Sequence, residues 1–291
     1  MKNKKEKSRF FIHGESLPDR IMMNDNESIS IAIRKKDGDI EDIVQKKESI
    51  TKTHPALDIF LLRGIIKFFE GSANQFYAEK KSKEKSSKND KLITYLIFSF
   101  VTIIGMIMYF FVPTIIAFYF KNTFQNNLFI GLTEGILRFL IFIVMFFSIV
   151  LFERNSGTAK YHGAEHKVLW CYRKGKDLTL ENVKKYSRLY PACGTGLIFY
   201  MILFSIPLFL LFGYNSIFIR LLLILISLPL LIGISFELSL FNEKKETKIA
   251  KVLSAPVLFL QKFNTKEPEK EHLEIAMIAI KNLIKCRTKN D

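Results

Sequence analysis

LITYLIFSFVTIIGMIMYFFVPTIIAFYF, residues 92–120, runs for 29 residues without a charged side chain. A helix needs about 20 apolar residues to cross the hydrocarbon core of a bilayer, so this stretch decides against an ordinary soluble domain. Pro113 lies inside it and predicts a kink, because proline removes a backbone donor and crowds the preceding turn. Three further stretches read the same way. Residues 128–152 contain Glu134 and Arg138, residues 195–213 carry no charge, and residues 216–241 contain Pro229, with Arg220 near the start and Glu237 near the end. The expected fold class is mainly α: a polytopic membrane protein with about four transmembrane helices, cytosolic amphipathic helices and a small N-terminal β-hairpin.

Charge supports this division. The chain has 291 residues, 49% of them hydrophobic, with 43 Lys and Arg against 28 Asp and Glu and a formal net charge of +15. Residues 1–91 hold 20 basic and 15 acidic side chains, residues 153–194 nine and four, and residues 241–291 eleven and seven. Basic loops stay on the cytosolic side of a membrane, so these three regions and both termini are expected in the cytosol, with 121–127 and 214–215 as short external loops. Residues 1–9 are basic, but no apolar run with a cleavage site follows, so no secretory signal is expected. Three cysteines, Cys171, Cys193 and Cys286, exclude a disulfide scaffold.

Four regions follow from this: a divergent segment 1–27, a hairpin and amphipathic helix in 28–91, a membrane domain 92–241 with a cytosolic loop 153–194, and a C-terminal helical region 242–291. In residues 28–45, Ile29, Ile31 and Ile33 alternate with small or polar residues, and Asp37-Gly38 supplies a turn. Residues 55–77 read as a helix whose broad apolar face suits the lipid interface or the transmembrane bundle. Residues 80–91 read as a charged linker. Residues 267–285 read as a last amphipathic helix, packed through Leu273, Ala276, Met277, Ile280, Leu283 and Ile284. No internal repeat or nucleotide-binding glycine loop is present, and no motif supports sequence-specific nucleic-acid binding.

The chemistry is concentrated in Tyr161-His162-Gly163-Ala164-Glu165-His166-Lys167. On a helix His162 and His166 stand one turn apart, the spacing by which two imidazoles chelate one ion. The H-x-x-E-H order adds Glu165 as a base that activates water beside a zinc ion. Such a site needs a third ligand and an open position. Glu237, near the cytosolic end of the fourth span, and Cys193 are the candidates. Glu237 reads equally as half of a salt bridge, and Cys193 as a small buried hydrophobe. Glu134 and Arg138 stand four apart and can pair, either as an anchor or as a functional couple. Lys167, Arg173, Lys174, Lys184, Lys185 and Arg188 around the site suit anionic headgroups or an anionic substrate.

The block from Tyr161 to Lys167 resembles the YqhQ-like family of bacterial membrane proteins, together with Glu181-Asn182-Val183, Ser187-Arg188-Leu189 and Pro191-Ala192-Cys193-Gly194-Thr195. Leu62-Arg63-Gly64, Glu134-Gly135-Ile136-Leu137-Arg138, Phe236-Glu237 and Thr265-Lys266-Glu267-Pro268 extend the resemblance over most of the chain from about residue 28. It implies a bacterial inner-membrane protein, described as a predicted metal-dependent enzyme with no established substrate. Two positions depart from the pattern. Tyr190 stands where relatives usually carry His, so a ligand there is absent or replaced by a phenol. His13-Gly14-Glu15-Ser16-Leu17-Pro18-Asp19-Arg20 retains little of the usual Gly-Gly-Gln-Ala-Val-Met-Glu-Gly-like opening, although His13, Glu15 and Asp19 are conceivable substitutes.

Two functions fit the residues. One is a hydrolase at the cytosolic membrane face that uses a divalent metal ion, zinc by preference, with His162, His166, Glu237 and Cys193 as ligand candidates and Glu165 as base. The other is a non-catalytic adaptor in membrane-protein biogenesis, whose basic surfaces hold anionic lipid, ribosomal RNA or an acidic partner.

Overall fold

The computed structural model describes residues 12–35, 37–82, 96, 100, 103–123, 126–213, 216–244 and 247–288. Four strands come first: β1 (His13–Leu17), β2 (Arg20–Asn24), β3 (Ser28–Arg34) and β4 (Ile40–Lys46). They pair antiparallel in the order β1-β2-β3-β4. The expected hairpin is the β3–β4 half of this sheet, with Gly38 at φ +93° in its turn. The first half lies in the segment expected to be merely divergent. There Pro18 and Asp19 connect Leu17 to its partner Arg20, with Asp19 at φ +61°. Proline presets the first turn position and Asp tolerates the left-handed second one.

Period 2 reads only one face of this sheet. Met22, Ile29 and Ile31 pack on Ala78, but Ser30 and Ala32 on the opposite face are fully buried as well. The small side chains there let helices approach closely, so the sheet is an inner layer.

The helices are α1 (Ile50–Thr53), α2 (Leu62–Ser82), α3 (Ile103–Tyr119), α4 (Asn127–Asn155), α5 (Thr158–Arg173), α6 (Leu180–Lys184), α7 (Gly194–Leu210), α8 (Ile217–Lys244), α9 (Lys248–Asn264) and α10 (Lys270–Thr288). The helix expected over 55–77 is corrected: a short 3-10 turn covers Pro55–Leu57, Leu61 takes φ +69°, and α2 begins only at Leu62. The helix α10 buries Leu273, Ala276, Ile280 and Leu283 as its periodicity predicts, and also Ile275 and Ala279, because β2 and β3 lie on one side and α5 on the other. The helix α9 is an element the sequence reading did not separate from the C-terminal region.

Among the described residues two helices, α4 with 29 residues and α8 with 28, are long and apolar enough to cross a membrane; α3 and α7 are apolar but shorter. Most of residues 92–102, the first part of the opening stretch, lies outside the described residues. Within α3, a π-helical turn at Ile107–Phe111 leads into Pro113.

Candidate metal centre

A short break at Ser156-Gly157 separates α4 from α5, with Gly157 in the left-handed region at φ +78°. The helix α5 then carries His162 and His166 one turn apart, their ring centroids 4.4 Å from each other. Cys193 arrives from the N-cap of α7. Each of the three offers one ligand atom, and these atoms lie within 4.8 Å of one another.

Both imidazoles are oriented from behind. His162 Nδ1 lies 3.3 Å from the Asn264 carbonyl, and His166 Nδ1 lies 2.6 Å from the Arg188 carbonyl. A carbonyl only accepts, so each neutral ring donates from Nδ1 and keeps its lone pair on Nε2. His162 Nε2 is 3.1 Å from Cys193 Sγ. His166 Nε2 is buried beside Cys193 and makes no well-formed hydrogen bond. Burial, and then His162, hold His166 below its ordinary pKa, which favours the neutral, ligating form. Burial raises the Cys193 thiol, but His166 beside it and the Thr195 backbone and hydroxyl outweigh that effect and leave it below its usual value. Two imidazoles and an easily ionised thiol form a donor set that suits zinc, and three protein ligands leave one position open. The residues fit the ion.

Gly163 explains how Asn264 reaches His162. A Cβ at Gly163 would stand 2.2 Å from the Lys266 carbonyl oxygen, so only glycine lets the segment after α9 cross α5 there. Lys266 N–H donates to the Ala159 carbonyl at 2.8 Å, and Arg188 Nη1 donates to Thr265 Oγ1 at 2.7 Å. Gln261 grips the Tyr190 backbone through both ends of its amide, at 2.8 and 2.7 Å. None of these contacts could be read from local spacing.

Glu165 is buried between α5 and β1. A Cβ at Gly14 would stand 2.4 Å from Glu165 Cγ and 2.5 Å from its Oε1. Burial pushes this carboxyl up to about 8; His162 opposes the rise, and Cys193 and Glu15 add to it. Glu15 is likewise pushed up to about 8 by burial, and its Oε2 has no hydrogen-bond partner. His13 is lowered to about 4 by burial and then by Lys67. The strand β1 thus puts an imidazole and a carboxyl near the site, whereas Asp19 sits exposed in the turn.

The other candidates lie elsewhere. Glu237 accepts from Arg63 Nε at 2.6 Å and Nη2 at 2.5 Å, a bidentate pair that ties α2 to α8. It does not join the His–Cys cluster, so of the two third-ligand candidates the fold brings Cys193 to the histidines. The Tyr190 ring packs against His166 with centroids 5.7 Å apart, but its hydroxyl donates to Glu243 Oε1 at 2.8 Å and accepts from Arg173. Burial raises this phenol well above its ordinary range. Its hydroxyl is directed to Glu243 and not to the His–Cys cluster.

Glu134 and Arg138 pair at 2.5 Å, and Arg220 donates to the other oxygen of Glu134 at 2.6 Å. The sequence named all three without joining Arg220 to the pair. Pro113 has no N–H for the Tyr109 carbonyl, and Arg138 Nη1 donates there instead at 2.9 Å. Arg220 donates to carbonyls of Phe209, Phe212 and Gly213 at the end of α7. The triad is therefore a set of helix-end and kink caps inside the apolar bundle.

Half of the basic group around the site is internal. Lys167 donates to the Lys184 and Tyr186 carbonyls, Arg173 pairs with Glu243, and Arg188 holds Thr265. Lys184 and Lys185 are exposed.

Comparison with known proteins agrees with the resemblance. The chain is 27% identical to the uncharacterized protein YqhQ of Bacillus subtilis (strain 168) over 294 residues, covering 94% of this chain and 92% of that protein. No solved structure matches it. The family described as "Protein of unknown function (DUF1385)" matches residues 59–286, most of the length that holds α2 to α10, and the chain belongs to this family.

Proposed function

We propose that the chain is a multi-pass protein of the bacterial inner membrane, with both termini cytosolic, and that it is a metal-dependent hydrolase acting at the cytosolic face. The membrane part rests on α4 and α8, whose apolar windows are only 28% and 33% buried inside the protein. Phe139, Val144 and Phe152 on α4 and Phe218, Leu222 and Ile226 on α8 face outward, as lipid-facing residues do.

One observation carries the metal reading: His166 Nε2 is buried, bears a lone pair and makes no well-formed hydrogen bond, and it faces His162 and a thiol whose pKa His166 lowers. A buried polar atom left unpaired costs about 1–3 kcal/mol, and an ion held by His162, His166 and Cys193 removes that cost. Bound there, a divalent ion supplies a Lewis acid. Glu165 supplies the acid–base function. Burial raises its carboxyl to about 8 in the chain alone. A cation bound nearby would lower it toward the ionised form, which could accept a proton from attacking water and return it to a leaving amine, alcohol or phosphate.

Elemental analysis of the purified chain tests the site. We expect about one zinc per chain, lost in His166→Ala and Cys193→Ala with the melting transition retained. Wild-type protein without stoichiometric metal overturns the site. Glu165→Gln should keep the metal and abolish function in cells; full function in that variant overturns the catalytic step and favours the adaptor.

A further inference from the structure

We infer that α9 lies in the cytosolic leaflet with its outer face in lipid, where its lysines select anionic headgroups. This rests on the membrane-spanning reading of α4 and α8. At about 100° per residue, Ala250, Ser254, Val257, Gln261 and Asn264 fall on one side of α9, and all are buried. The opposite side divides in two. Ile249, Val252, Pro256 and Phe259 form an exposed apolar arc, with Val252 72% and Phe259 56% exposed. Lys248, Lys251 and Lys262 form the neighbouring arc and are exposed, with no acidic partner among the described residues. This is the division of a helix that lies flat at a membrane surface, apolar side inward and lysines at the headgroups.

Depth identifies the occupant. Leu260 of α9 packs in one cluster with Phe142, Phe146 and Val150 of α4, and Phe263 meets Phe147 edge-on at 5.5 Å. These α4 residues lie well inside the candidate span, and their outward neighbours Val144 and Ile149 are more than half exposed. The apolar arc of α9 joins that surface through Phe263, whose ring meets Phe147 of α4 and Phe259 of the arc, each at 5.5 Å. This contiguity argues that the medium around Val144 and Ile149 reaches Phe259, and along the same arc Val252. Because α8 ends at Lys244 and α9 starts at Lys248, the chain also has little length in which to leave the boundary. The same helix ends on Asn264, which orients His162, so the His–Cys cluster lies at the headgroup boundary.

The single tryptophan makes this testable. In a Trp170→Phe background, Phe259→Trp and, separately, Val252→Trp report on α9, and Leu140→Trp on α4. Each full-length protein is placed in mixed phosphatidylglycerol and phosphatidylcholine nanodiscs, with brominated acyl chains on one lipid at a time. We expect quenching at 259 and 252 comparable to that at 140, and at least twofold stronger with bromines on phosphatidylglycerol. Lys248→Gln, Lys251→Gln and Lys262→Gln combined should remove that preference. If 140 is quenched but both α9 positions answer only to aqueous iodide, or to neither quencher, α9 faces water or protein and the inference falls while the membrane reading stands. If 140 is not quenched, the membrane reading itself falls. Equal quenching by both lipids overturns the anionic preference.

Discussion

Replacing Gly163 with alanine sets two physical effects against each other between His162 and His166. In an exposed helix interior the change stabilises by about 1 kcal/mol, because glycine has the larger entropy to lose. Here the new Cβ would stand 2.2 Å from the Lys266 carbonyl oxygen. A relaxed C···O contact needs about 3.3 Å, so the segment after α9 must retreat by roughly 1 Å. Overpacking of this kind costs about 1–3 kcal/mol. The retreat also weakens the bonds from Lys266 N–H to Ala159 and from His162 to Asn264, each worth about 1 kcal/mol. The losses exceed the gain, leaving a net destabilisation of about 2 kcal/mol, which lowers the melting temperature by roughly 3 °C in a chain of this length. Thermal unfolding of the purified protein, with zinc content measured alongside, checks both halves. A variant as stable as the parent, or more stable, refutes the close crossing of that segment over α5.

Four more expectations follow from individual contacts. Glu15 holds a proton in the folded chain up to about 8 but releases it near 4.5 when unfolded, so its stabilising contribution is full at low pH and lost as pH rises through that window; Glu15→Gln should flatten the fall in stability between pH 5 and 9, by at most about 4 kcal/mol, and an unaltered profile would exclude a buried neutral Glu15. Arg220→Leu strips the carbonyls at the end of α7 and half of the pairing of Glu134; we expect a loss of about 3–5 kcal/mol in unfolding experiments, whereas a near-neutral change would mean the triad is not a cap. Tyr190→Phe should cost about 1–2 kcal/mol by removing a buried bond to Glu243 and leave zinc content unchanged; loss of metal would show that the phenol takes part in the site. Cobalt-loaded protein should display thiolate-to-metal charge-transfer absorption that Cys193→Ser abolishes, and absorption surviving that change would remove Cys193 from the ligand set.

Local pattern was legible where one stretch of chain contains the whole reason for its structure. The Leu273–Leu283 periodicity, the Asp37-Gly38 turn and the His162–His166 spacing all belong to this kind, since helix and strand geometry are set by neighbours along the backbone. Legibility stopped where a residue has two uses. Ser30 and Ala32 read only as the small or polar alternates of Ile29, Ile31 and Ile33, whereas in the fold they are fully buried where helices pack closely. Glu237 was as suitable for a metal as for an arginine, and only the approach of α2, with Gly64 within 2.7 Å of Phe236 at its would-be Cβ, gives it Arg63. The segment from His13 to Leu17 looked degenerate as a motif, yet its edge strand covers Glu165.

Composition and spacing by themselves determined that this chain has apolar helices of membrane-crossing length, a helical His pair with an adjacent glutamate, and basic regions separated from the apolar ones. Tertiary structure alone decided that Cys193 rather than Glu237 faces the histidines, that Asn264 and Arg188 orient them, and that Arg220 closes the buried pair. The reason is range. Helix periodicity acts over a few residues, while the position of a third ligand depends on how helices pack after their loops have returned, and a carboxylate and a thiol carry no mark in the sequence of which will arrive.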